Sequence, residues 1–174
     1  MNTGQTLLTV CAFILLSVIL QNFYTNMNNV GNTVDEGQDG IMATSINASY
    51  AEIAENLAFD NASVGGAVIG NIASLTPVAS LGVDVGEDKK DLKTFDDVDD
   101  FNLDTLSRTP IGSARTYCTS FRVYYTDSVN FALNKGAPTW WKRLDMKTWR
   151  TAPTTGMDHI DTVKMSIVMG YFNF

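Results

Sequence analysis

Histidine and cysteine are scarce in this chain, and basic side chains are missing from its whole first half. One His (His159) and two Cys (Cys11 and Cys118) cannot supply a CxxCH haem attachment or a classical zinc spacing. The two Cys fall in unlike segments, one in an apolar run and one in a strand-like stretch, so no disulfide between them is expected. No Lys or Arg precedes Lys89, and all 12 basic residues lie in the second half of the chain. Without cations to neutralise phosphates, the N-terminal half is not expected to bind nucleic acid. Walker A and GxGxxG patterns are absent too; "GGAVIG" at residues 65–70 has neither spacing. His159, in "GMDHID", reads as a solvated turn residue, and Cys118 as an ordinary thiol on a sheet, so no nucleophile–base pair is apparent. The expectation is a non-enzyme without a cofactor. At 174 residues and 45% hydrophobic content, there is material for one folded domain and an extension.

Charge of either sign is missing from the N-terminus, where the first charged side chain is Asp35. Leu7 to Leu20 is strongly apolar, and the uncharged flanks extend it over residues 5–24, the roughly 20 residues that a bilayer span needs. Phe23 and Tyr24 fit an interfacial aromatic anchor. A secretory signal peptide would start with basic residues and end at a small-x-small cut; the start has none, and "QNFYTNMNN" offers no such cut. A plain single-pass anchor usually carries flanking Lys or Arg, which are also missing.

"GQTLLT" at Gly4 to Thr9 resembles the prepilin-peptidase site of type IV pilins and pseudopilins, in which a Gly precedes the cut and Phe-Thr-Leu-Ile-Glu and an apolar helix follow. Gly4, Thr6, Leu7 and Leu8 occupy the matching positions, while Thr9 stands where the family usually has Glu. The resemblance implies a leader-like stub at residues 1–4 and processing between Gly4 and Gln5. It also implies an assembly helix comprising Thr6, Leu7, Leu8, Thr9, Val10, Phe13, Ile14, Leu15, Leu16, Val18, Ile19 and Leu20. Its implied partners are further copies of the chain in a helical filament, the inner membrane before assembly, the pilus assembly machinery and a prepilin peptidase. The implied location is a bacterial inner membrane, then the cell surface.

After the apolar segment, residues 25–40 are rich in Asn and Gly, which predicts a flexible or partly melted joint or an exposed linker. Helical periodicity resumes over 41–62, with Ile46, Tyr50, Ile53 and Leu57 on one face. Such a helix fits either the second half of a pilin helix or the core helix of a tethered domain. Residues 63–112 read as a loop-rich connection with an acidic stretch, "FDDVDDFNLD". Its Asp96, Asp97, Asp99 and Asp100 are calcium candidates or a solvated acidic turn; an EF-hand's Gly and terminal Glu are missing. The same run resembles an acidic stretch that precedes the sheet in some minor pilins.

Residues 113–174 carry three runs with a period of two, "TYCTSFRVYYTD", "WKRLDMKTWR" and "TVKMSIVMGYF", separated by turn-rich segments. They predict an antiparallel meander with one apolar face. In "PTWWKR", Trp140 and Trp141 beside Lys142 and Arg143 read as a contact surface or as one core Trp and one on the sheet. The expected fold class is α+β, a long N-terminal helix packed on a C-terminal antiparallel sheet. The expected function is the structural subunit of a type IV pilus-like filament. The alternatives are a minor pilin or secretion pseudopilin, or a single-pass anchored extracytoplasmic binding domain that does not polymerise.

Overall fold

The computed structural model describes residues 2–151 and 162–172; His159 and the turn expected at "APTTGMD" lie outside the described residues. The chain forms two compact units, residues 1–39 and 40–174.

One helix, α1 (Thr3–Glu55), supplies the first unit and begins the second. It includes residues 25–40, so the expected joint is helical throughout. Gly31, Gly37 and Gly40 each weaken a helix by ~1 kcal/mol. Once flanking turns exist, however, each further residue gains a hydrogen bond without a new nucleus, and propagation carries the helix across weak positions. The helix expected to reach residue 62 stops at Glu55. Beyond it, Asn56 Nδ2 donates to the Glu52 carbonyl at 2.7 Å. Ala58 then pairs with the acidic loop, its N–H donating to Asp96 O and its carbonyl accepting from Val98 N–H. Tertiary pairing thus takes the backbone away from the helical pattern.

In the second unit the described strands are β1 (Thr105–Arg108), β2 (Tyr117–Tyr125), β3 (Trp141–Arg150) and β4 (Thr162–Gly170), an antiparallel meander in that order. The last three are the strands predicted from period two. β1 is an addition inside the stretch expected to be loop-rich: it has four residues, and Leu106 is the one that is buried. Four short 3-10 turns (Asn61–Gly66, Ile72–Ser74, Val78–Ser80 and Asp99–Phe101) punctuate the otherwise irregular residues 56–104.

Tyr117, Thr119, Phe121 and Val123 of β2 and Leu144, Met146 and Thr148 of β3 are buried beneath α1; Val163, Met165, Ile167 and Met169 of β4 are half-buried at the margin. The covering face of α1 is Ala43, Ile46, Asn47, Tyr50, Ala51 and Ala54. Of the predicted stripe, Ile46 and Tyr50 are core, whereas Ile53 and Leu57 pack partly buried at its side. The three alanines are buried in that face, and Tyr50 meets Phe121 edge-on with centroids 5.0 Å apart. Asn47 fixes the register. Thr148 Oγ1 donates to Asn47 Oδ1 at 2.6 Å, the Thr148 and Thr119 hydroxyls share a 2.7 Å bond, and Asn47 Nδ2 reaches the Val163 carbonyl at 3.4 Å. Thr119, Thr148 and Val163 form one row across the sheet, so a slip of the helix would strand buried polar groups.

Candidate functional site

Two features stand apart from ordinary core packing: the bare N-terminal part of α1 and a buried ionic cluster in the second unit.

Every side chain from Asn2 to Gln38 is exposed, including all the residues of the expected assembly helix from Thr6 to Leu20. Leu7, Val10, Phe13, Ile14, Leu16 and Ile19 show half or more of their surface, where burial of each would return about 1.5–3 kcal/mol. α1 is long and apolar enough to cross a membrane. At 1.5 Å per residue, residues 5–24 span about 30 Å, the thickness of a bilayer's hydrocarbon core. Thr9 and Ser17 inside this segment, and Thr25 just beyond it, satisfy their hydroxyls on their own backbone. Thr9 donates to Gln5 O, Ser17 to Phe13 O and Thr25 to Gln21 O, each at 2.9 Å. That arrangement removes the cost of placing hydroxyls in hydrocarbon. It also leaves Thr9, at the position where the resemblance places Glu, without charge and with its donor occupied. Gly4 and Gln5 lie in the first turn, where Gln5 N–H donates to Asn2 O at 2.9 Å.

The second feature was hidden in the sequence. Lys142 has no exposed surface. Its ammonium donates to Phe59 O at 2.7 Å, to Asp60 Oδ2 at 2.9 Å and to Asp99 Oδ1, which uses all three protons. Phe59 and Tyr125 present their rings to the same ammonium at 4.9 and 5.3 Å. Asp60 caps the turn that follows it, accepting from Ala62 N–H, from Thr76 N–H and hydroxyl, and from Tyr125 OH. Burial works against its ionised form, but the Lys142 charge and these donors outweigh it and hold Asp60 below the usual carboxylate range. Asp99 is pushed up, burial outweighing Lys142. Behind it Asp97 is driven to about 9 by burial and by the neighbouring Asp99 carboxylate, which keeps it protonated at neutral pH. The cluster clamps the exit of α1, the acidic loop and strands β2 and β3 to one another.

The four calcium candidates therefore divide. Asp99 is committed to Lys142, and Asp97 accepts from Asp99 N–H at 2.7 Å. Asp100 accepts from the N–H groups of Asp96 and Asp97 and lies with Asp96 and Glu87 in a group whose ligand atoms fall within 4.8 Å of one another. Those three are the residues that a divalent cation could use. Glu87 was not among the sequence candidates; it lies outside the Asp run and only the loop fold brings it in. In "PTWWKR", Trp140 stacks on Tyr171 at 5.5 Å and Trp141 meets Phe172 edge-on, both half-buried, while the lysine between sheet and loop turns inward. Cys11 and Cys118 are both free thiols.

No protein-family model, curated protein or solved structure matches this chain. The functional reading therefore stands on the residues themselves.

Proposed function

We propose that this protein is a membrane-anchored subunit of an extracellular filament of the type IV pilus kind, polymerising through the N-terminal part of α1. The observation that carries the reading is the wholly exposed apolar surface of residues 7–20 on a chain whose remaining mass folds around its own core. Such a surface demands a cover. Lipid supplies it in the monomer, and neighbouring copies of the same segment supply it in the filament. The absence of charge through Val34 suits both environments, since an unpaired charge would cost several kcal/mol in either. Back-bonded hydroxyls suit both for the same reason. The Gly-x-Thr-Leu-Leu pattern at Gly4 to Leu8 supports processing by a prepilin peptidase after Gly4.

Electron microscopy of material sheared from cells that make the protein, with mass spectrometry of the sheared chain, tests this directly. The expected result is filaments composed of this polypeptide, with a mature N-terminus at Gln5. Sheared material free of the chain would overturn the filament assignment. An intact Met1 or Asn2 in assembled filaments would overturn the processing step alone.

A further inference from the structure

Between Phe23 and Val34 the helix is polar apart from Phe23, Tyr24, Met27, Val30 and Val34. Four of these, Phe23, Met27, Val30 and Val34, are spaced by four, three and four residues and are 58%, 57%, 63% and 53% exposed. Because the stretch is helical, that spacing is a heptad seam with Phe23 and Val30 at d and Met27 and Val34 at a. The same letters run back without a polar break through Leu20 (a), Leu16 (d) and Phe13 (a), about three heptads in all. Residues 7–20 are apolar nearly all round, so the seam carries no information there; over 23–34 it does.

We propose that this seam pairs, in parallel, with the seam of a second copy of the chain. The proposal deepens the filament reading and rests on it for its parallel sense, because two chains anchored through the same segment enter from the same side. Lipid is not the cover for the outer part of the seam. With residues 5–24 spanning the hydrocarbon, Val34 lies about 15 Å beyond it along the helix. Charge selects a second copy over a basic partner. A partner read by charge would meet acids at the seam's flanking e and g positions, yet those positions hold Tyr24, Asn26, Gly31 and Thr33. The nearest acids, Asp35 and Glu36, fall at the outward b and c positions. An acidic chain that packs against itself needs this arrangement, with every like charge kept off the contact.

The test uses the full-length chain with Cys11→Ser and Cys118→Ser in native membranes, carrying one new cysteine at a time. Met27→Cys and Val30→Cys place a thiol on the seam; Asn29→Cys and Glu36→Cys place it outside. After oxidation with copper phenanthroline, the seam variants should give at least fivefold more disulfide dimer than the outer ones, with mass spectrometry finding this chain on both sides. Equal yields, no dimer from the seam, or seam cross-links to a different protein would each overturn the proposal. Val30→Asp gives a second readout in detergent: sedimentation should shift tenfold toward monomer relative to Asn29→Asp, and equal behaviour of the two would count against the seam. Filaments without seam cross-links would defeat this inference and leave the filament reading intact. Seam cross-links without filaments would do the reverse.

Discussion

Asp97 has its backbone and side chain in the interior, and its neutral form has a measurable consequence. In the folded chain Asp97 holds its proton up to about pH 9 and Asp100 up to about 7, whereas unfolded aspartates release theirs near pH 4. Folding therefore takes up protons across that window. The stability contributed by these groups is complete below about pH 4 and is lost as pH rises, through about 7 for Asp100 and about 9 for Asp97. Asp60 has the opposite sign: its contribution is present above the unfolded value and is lost as pH falls through its lowered folded value. The full chain in detergent should consequently melt at a higher temperature at pH 5 than at pH 8. Asp97→Asn should flatten that slope, because the amide keeps an acceptor for Asp99 N–H and a donor toward the Asp99 carboxylate. It should match the parent below about pH 4 and exceed it increasingly as pH rises, by about 1 kcal/mol or more at pH 8. A slope unchanged in this variant would show that Asp97 is ionised. None of this cluster was legible from the sequence. Lys142 keeps phase with Leu144, Met146 and Thr148 on the inner face, but a lysine in that register is ordinarily a surface residue. What buries it is a pair of aspartates 82 and 43 residues away, which no local pattern connects.

At the scale of elements, legibility followed how strongly each pattern depended on neighbours. β2, β3 and β4 declare themselves through alternation, whereas β1 is too short to alternate and exists because Leu106 and its flanks pair with residues 117–120 of β2. The covering face of α1 was half seen: Ile46 and Tyr50 stand out as apolar, but Ala43, Ala51 and Ala54 are too small to mark a stripe, and Asn47 reads as polar. Residues 25–40 are helical although composition does not announce it, because composition weighs each Gly separately and helix propagation does not. The glycines still leave this stretch the weakest part of α1. A Cβ added at Gly31, Gly37 or Gly40 meets nothing within 4 Å, so alanine fits each. Each replacement should stabilise the helix by about 0.5–1 kcal/mol. Hydrogen exchange of the full chain in detergent should show amides 25–40 slowed about threefold or more in the triple variant. Exchange as fast as in the parent would mean that the glycines do not limit the helix.

For the molecule as a whole, the two units separate two tasks. Residues 40–174 contain the sheet, its helical cover and the Lys142 cluster, while residues 2–38 present exposed helix surface. Residues 40–174 alone should remain soluble, fold cooperatively and sediment as a monomer, whereas the full chain should partition into membranes. A 40–174 fragment that fails to give a cooperative melt would show that the first 39 residues are needed for folding. The α+β class was readable because it needs only one apolar helix face and one apolar sheet face to meet. The contact between Asn47 and the Val163 carbonyl spans 116 residues of chain. A ribosome adding about 5–20 residues per second needs roughly 6–23 s to travel between the two. Through that interval the apolar N-terminal segment has already emerged while the docking face of α1 still has no sheet to meet. Under the proposed anchoring, insertion into the bilayer is thus committed before residues 40–174 can close, and the order of the two events is written into the direction of synthesis.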